Sequence, residues 1–430
     1  MAVNIRFVGT YHPRICGIGT FTRDSVTSLL DYTGEVSSVS VSAIDKNGEQ
    51  YFSPVDIVFD QLNEESWMLG GLDSVKRAKE KPDPTVVILE HEFGLDEDGT
   101  GNNYVELAKL YKENGIMTLV WLHTIPSQPT EYQERTLREL SEYCDMMIAP
   151  TKSGIDRLNE VYGIHYKLGQ IDHGVREQDK SRLEAKKILE LEDMIVLLTP
   201  GLRSLDKGLQ FSIPAYGKYL REHCSEKDRE NIVYLIVGQV HPEFILADGG
   251  RYYKDYQEII KKAIEIGEVR YTEIKDKKHL KIAARENDVV VVDAYQSVKD
   301  LMGYYAGSDM IPLPYLNMEQ MLSGILADAI GSGRVPLSTP FDYAKELLNP
   351  ENKRGEGPII DTRHGRGILI DPGEPFIDQM PKAVNYLISN PIEHRAMEWR
   401  AQKRGHKMKW NNTAWQILKI IKNIEKEKNN

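Results

Sequence analysis

Cysteine is the scarcest informative residue. Three occur, Cys16, Cys144 and Cys224, odd in number and scattered along the chain. That excludes a disulfide framework and points to reduced thiols in a cytoplasmic protein. No apolar run approaches the ~18 residues a membrane-spanning helix needs. The beginning shows no signal-peptide profile and runs into a short apolar stretch, Ile5 to Val8. Excess positive charge is missing as well, and the net charge of −11 argues against nucleic acid as a bulk partner. What remains is an ordinary globular composition, 41% hydrophobic and 28% charged, over 430 residues. That length suits two or three domains, each with its own core.

Short apolar runs alternate with helical patterns throughout. Strands are expected at Ile5 to Val8, Ser37 to Val41, Val86 to Leu89, Thr118 to Leu122, Met146 to Ile148 and Lys167 to Ile171. Helices are expected at about Phe21 to Leu30, at Tyr104 to Glu113, at Glu131 to Tyr143 and at Ser153 to Tyr162. After a charged joint, Arg176 to Asp193, a second series begins: Ile195 to Thr199, Ile232 to Val237, Val289 to Val292, Met310 to Leu313, Val335 to Leu337 and Gly367 to Ile370. Two strand–helix series of this kind imply an α/β fold of two doubly wound, Rossmann-like domains. Helices at Ile392 to Arg404 and Ala414 to Lys426 close the chain. Such sheets bind ligands beyond the carboxyl ends of their strands, so residues at strand ends carry the functional reading.

Several stretches stand at such ends. Gly17 and Gly19, in Tyr11 to Thr22, let backbone amides approach an anion; the third glycine of a dinucleotide fingerprint is replaced by Thr22, and Asp45 lies further on than a ribose acid should. His91 and Glu92 follow Val86 to Leu89, and His123 follows Thr118 to Leu122. Each also suits a purely structural hydrogen bond. Asp96-Glu97-Asp98-Gly99 lacks the length and terminal glutamate of a calcium loop and reads as a solvated acidic turn. Gly201 to Gly208 places Arg203 and Lys207 between a strand and a helix, where amides, dipole and cations all favour an anion. Gly238 and His241 follow Ile232 to Val237. In Asp309 to Phe341, Pro312 and Pro314 should end the strand, since neither donates to a ladder. A helix should start within Met318 to Ser323, capped by Asn317 or Ser323. Gly324, Ala327, Asp328 and Gly331 share one face of it, small enough for a ligand or a neighbouring backbone to come close.

Taken together, these motifs resemble the retaining glycosyltransferases of the GT-B fold, family 4. The stretch Asp309 to Phe341 resembles their nucleotide-sugar site, in which two acidic residues stand eight apart; here Gln320 and Asp328 occupy those places. Tyr11 to Asp24 resembles the opening loop of one subgroup. His173-Gly174-Val175 resembles the turn joining the domains, and Gly238 to Pro242 a strand-end motif lining the nucleotide pocket. The resemblance runs from about Val3 to about Leu418.

The resemblance implies two facing domains, an acceptor-side domain at 1–185 and a donor domain at 186–405, with a C-terminal helix at 406–430 crossing back onto the first. It implies that Lys207, assisted by Arg203, stabilises the departing phosphate and that His123 orients the hexose. Gly17, Gly19, Gly201, Gly238, His241, Gln320, Ser323, Gly324 and Asp328 would hold the donor, Asp328 through the ribose, while His91 and Glu92 face the acceptor. Partners are then a nucleotide-sugar, with GDP-mannose first and UDP- or ADP-glucose next, and a soluble sugar or oligosaccharide. No cofactor and no metal is required. Three other readings share these features: a GT-B phosphorylase or synthase, a non-catalytic sugar- or nucleotide-binding module, and a lipid-acceptor enzyme at a membrane surface. The last rests on Lys403, Arg404, Lys407 and Lys409 beside Trp410 and Trp415. It is not favoured, because Trp415, Leu418 and Ile421 repeat at helical spacing and should be spent on packing.

Overall fold

The computed structural model describes residues 2–96, 99–351, 353 and 355–428, so Glu97 and Asp98 of the acidic turn lie outside the described residues. Asp96 departs from that expectation: it is buried and accepts hydrogen bonds from the side chain and N–H of Asn103.

The first sheet has seven strands: β1 (Val3–Gly9), β2 (Val36–Asp45), β3 (Val55–Asp60), β4 (Thr85–His91), β5 (Met117–Leu122), β6 (Met146–Ala149) and β7 (Leu168–Gln170). Their order is β3-β2-β1-β4-β5-β6-β7, parallel throughout. The second has eight: β8 (Ile195–Pro200), β9 (Ile232–Val237), β10 (Tyr271–Ile274), β11 (Val289–Val292), β12 (Met310–Leu313), β13 (Val335–Ser338), β14 (Ile359–Ile360) and β15 (Ile368–Leu369). It runs β10-β11-β9-β8-β12-β13-β15-β14, with β14 alone antiparallel. Both faces of a parallel sheet are covered by helices, so strand residues are apolar in either direction. In the second sheet Val196 and Leu198 enter one core cluster, while Leu197 enters another on the opposite face.

The first sheet reverses its order between β1 and β4, and the second has its central reversal between β8 and β12. These are the topological switch points, where helices depart to opposite faces and leave a crevice at the strand ends. The loops after β1, β4, β8 and β12 carry most of the motifs singled out above.

The chain divides into unit 1, Met1–Gly174 with Trp410–Asn430, and unit 2, Val175–Lys409. The boundaries expected at 185 and 405 therefore move. The segment 182–189 is a helix whose Ala185 and Leu189 pack in unit 2, with Leu189 in the core of the second sheet. The helix Pro391–Lys407 belongs to unit 2 as well, so only Trp410–Lys428 returns to the first unit. There Ile417, Leu418 and Ile421 join the core with Phe21 and Trp121. Trp415, expected to pack, is 52% exposed, because Trp410 is the ring placed against Phe21 instead.

Three local expectations also change. The first helix begins at Gly17, not Phe21, with Cys16 as its N-cap. Strands β3, β10 and β14 went unseen, being edge strands with short or mixed patterns. Pro312 lies inside β12 instead of ending it. The ladder with β8 is confined to Met310, and the Thr199 hydroxyl donates to the Pro312 carbonyl at 2.6 Å, so no N–H is wanted from the proline.

Candidate functional site

Unit 2 builds its strand-end crevice from two loops. After β8 the chain turns at Gly201 (φ +105°), passes a short turn at Leu205–Lys207 and enters the helix Leu209–His223 through Gly208 (φ +71°). After β12 it runs through Pro314 to Ser323, the N-cap of the helix Gly324–Gly331. The Leu316 N–H donates to the Asp206 carbonyl at 2.8 Å, and a Cβ on Gly208 would overlap the Pro314 carbonyl, so the loops are in direct backbone contact. Asn317 does not cap: 317–322 is turn and irregular chain, within which Gln320 donates to the Leu322 carbonyl at 2.7 Å.

Lys207 and Tyr315 meet across that seam. The Lys207 Nζ lies 4.2 Å from the centre of the Tyr315 ring. The ring is buried and stacks on Phe341 at 5.3 Å and 18°. Its hydroxyl is hydrogen-bonded to Ser323, and burial pushes the phenol pKa up, so the ring stays neutral. Ser323 Oγ in turn accepts the Leu326 N–H at 3.2 Å. An ammonium held by a π face keeps its full formal charge, and a helix N-terminus adjoins it. Asp206, half exposed, offers its carboxylate at 3.6 Å.

Arg203, expected beside Lys207, is turned away. Its Nε donates to the Gly238 carbonyl at 2.8 Å, and its guanidinium pairs with Asp293 at the end of β11, where Lys275 joins the same carboxylate. Burial works against the Asp293 charge, but Lys275 and Arg203 outweigh it and hold the carboxyl below its usual range. Gly238 (φ +142°) must be glycine because its Cβ would enter the Gly201 backbone. His241 accepts the Glu243 N–H at 3.3 Å and caps the turn Pro242–Leu246. Both residues shape the loops around Arg203.

Asp328 is also engaged. It is 2% exposed, ion-paired with Arg176, and accepts the Arg176 N–H at 3.3 Å. The small-residue face of its helix packs on protein: Gly331 touches Val175, and Gly405 of Pro391–Lys407 rests on Gly331. A ribose would have to share this carboxylate with Arg176. Gly324, at the first helical position, remains half exposed.

In unit 1 the ends of β4 and β5 bring Glu90 and His123 together. Strand side chains alternate between faces, so consecutive residues Glu90, His91 and Glu92 part company. His91, expected on the acceptor side, points into the core against Phe93 and Tyr104; burial drives its pKa down to about 3, leaving it neutral. Glu92, half buried, accepts the Thr124 hydroxyl at 2.6 Å. Glu90 is fully buried, and its Oε2 lies 2.7 Å from His123 Nε2. A Cβ on Gly9 would come within 2.8 Å of the Glu90 Cβ, so that glycine makes the room. Gly17 is exposed at the start of its helix, while Gly19 lies buried against the Arg14 carbonyl and the Cys16 sulfur. His173, in the joining turn, packs its ring on Phe21 and Trp410. Sequence reasoning missed Glu90 and Tyr315. The signal for Glu90 was a lone carboxylate closing the run Val86 to Leu89; Tyr315 carried none beyond its place after Pro314.

No protein-family model and no curated protein matches this chain. Solved structures do. The Anabaena Alr3699/HepE structure in complex with UDP is 15% identical, covers 98% of this chain and 100% of its own, and has a TM-score of 0.67. The same protein in complex with UDP-glucose gives 15% identity, 98% and 99% coverage and 0.64. The UDP-forming α,α-trehalose-phosphate synthase from Burkholderia xenovorans, in complex with glucose-6-phosphate, gives 12%, 98% and 100%, and 0.64. The fold is thus GT-B, two Rossmann-like units with a returning C-terminal helix.

Proposed function

We propose that the protein is a glycosyltransferase that moves a hexose from a nucleotide-sugar to a sugar acceptor, with unit 2 holding the nucleoside diphosphate. The observation that carries this reading is the Lys207 ammonium fixed over Tyr315 beside the Ser323 helix N-terminus, at the switch point of the second sheet. A leaving diphosphate gains charge in the transition state, and a pre-placed cation with helix amides stabilises that charge without reorganising. Arg203 then acts from behind, holding Gly238 and Asp293 in place.

In this reading His123 contacts the hexose and Glu92 lies toward the acceptor. Transfer proceeds with retention of configuration, as in family 4, and needs no metal. The fold neighbours bound to UDP and UDP-glucose support a uridine nucleotide, while the subgroup resemblance of Tyr11 to Asp24 supports GDP-mannose. A thermal-shift panel of UDP, GDP, ADP and their hexose conjugates decides between them. A ligand at 100 times its Kd stabilises the protein by about 2.7 kcal/mol, so one nucleotide series should raise the unfolding midpoint. If no nucleoside diphosphate and no nucleotide-sugar shifts it, the donor site has been misassigned.

A further inference from the structure

Glu90 is a buried ionisable group that the reading above leaves without a task. It closes β4, its neighbour across β5 is Trp121, and its ion-pair partner among the described residues is His123. The other carboxyl oxygen, Oε1, has no hydrogen-bond partner among the described residues. The ring of His123 stands edge-on to Phe21 at 5.1 Å and retains 9% exposure. With Nε2 taken by Glu90, Nδ1 is the nitrogen left for a ligand.

The surrounding charges are accountable. On the same strand His91 faces the opposite way and is neutral, and Glu92 is bonded to Thr124. From the helix Asn102–Glu113, Tyr104 donates its hydroxyl to the Glu90 main-chain carbonyl at 3.0 Å, and burial keeps that phenol protonated. Arg14 is spent on the Ile44 carbonyl and Gln61. From the helix Gly17–Leu30, Thr22 reaches the Gly9 side of the pocket, and Arg23 pairs with Asp24. His173 stands behind Phe21.

A net charge in such a dry place costs several kcal/mol. The pair therefore settles where its total charge is zero. A proton on Oε1 would be a buried hydroxyl with no acceptor among the described residues, which leaves two such arrangements: a neutral carboxylic acid donating to Nε2 of a neutral imidazole, or a carboxylate accepting from an imidazolium. Both leave a proton on Nδ1. We propose that Glu90 is a positioning residue for His123: it shares one proton with Nε2, keeps the second on Nδ1, and so presents the imidazole to a hexose oxygen as a fixed hydrogen-bond donor. This rests on the reading that His123 contacts the hexose. It makes the sugar position that His123 meets one that must offer an acceptor oxygen, so a deoxy sugar there is discriminated against.

The proton can be observed without substrate. In protein labelled with 15N-histidine, the His123 resonances, assigned by their loss in His123→Gln, should show a protonated Nδ1 at pH 7. In Glu90→Gln the amide can either donate to Nε2 or accept from it, so the Nδ1 signal should move toward the unprotonated position. Turnover should fall about tenfold, the worth of one hydrogen bond, with donor KM less affected. An unprotonated Nδ1 in the unsubstituted protein at pH 7 overturns the inference, whether or not the Glu90 variant folds. So does an unchanged Nδ1 signal in a folded Glu90→Gln. Unimpaired turnover in His123→Ala would instead remove the contact between His123 and the hexose, leaving the proton assignment to stand on the spectrum.

Discussion

At the level of single residues, two side chains make separable predictions. Lys207→Ala should lower kcat more than it raises donor KM, because the charge matters most as the phosphate departs. The expected loss is about 10²-fold or more, and near-normal turnover in the folded variant would exclude Lys207 from the site. His91 predicts a pH effect. Its folded pKa, about 3, lies below the ordinary 6.5. The unfolded chain therefore takes up a proton that the folded chain refuses, so the stability is full above 6.5 and drains as pH falls toward 3. Between pH 7 and pH 5 this one residue should account for about 2 kcal/mol. Comparing denaturant midpoints at both pH values in the unsubstituted protein and in His91→Gln checks it: the variant should lose less on acidification. Trp67, Trp121 and Trp410 are buried in unit 1 and give the fluorescence signal. Legibility fails at this scale for one reason. His91 and Glu90 look equally placed in a one-letter string, and ending the strand at Leu89 instead of His91 hides that the pleat turns Glu90 toward His123 and His91 toward Phe93 and Tyr104.

At the level of elements, the helix Gly324–Gly331 shows the same limit from the other side. Its small face was readable in Gly324, Ala327, Asp328 and Gly331, and the Ser323 cap is where one of the two sequence options placed it. What covers that face was not readable, because Val175, Arg176 and Gly405 come from distant segments. The consequence is energetic. Asp328→Ala removes the carboxylate of the Arg176 ion pair, and removing one partner of a buried pair costs on the order of 3 kcal/mol. Urea unfolding should show the midpoint falling accordingly, ahead of any change in donor KM. A variant as stable as the parent that binds nucleoside diphosphate more weakly would give Asp328 back to the ribose. The loops Gly201–Gly208 and Pro314–Ser323 were legible as turns at strand ends. The turning away of Arg203 was not, since Asp293 lies on another strand.

At the level of the whole molecule, the alternation of strands and helices was enough to give two doubly wound units, because each buried parallel strand announces itself as a short apolar run. The division between units was displaced, since a charged helix such as Arg182–Leu189 reads as a linker until its inner face is seen. The proposed donor site predicts that transfer survives chelation with EDTA; complete loss, restored by magnesium or manganese, would require a metal at the phosphates. No helix among the described residues is long and apolar enough to cross a membrane. Trp415 is exposed, yet Lys409 is tied to Glu177 at 2.6 Å and the chain carries −11. Sedimentation with anionic vesicles at physiological salt should leave the protein in the supernatant; pelleting abolished by neutralising Lys403, Arg404, Lys407 and Lys409 would favour a lipid acceptor. The path of the chain has a further meaning for how such a protein can be altered. Unit 2 is entered at Val175 and left at Lys409, and those two residues are bridged to each other, with the Val175 N–H on the Met408 carbonyl at 2.7 Å. It is thus a cassette with its two ends clipped together. If unit 2 holds the donor as proposed, a module of different specificity could be exchanged through one pair of neighbouring splice points, whereas a cut after Gly174 alone would strip unit 1 of Trp410 and the helix that completes its core.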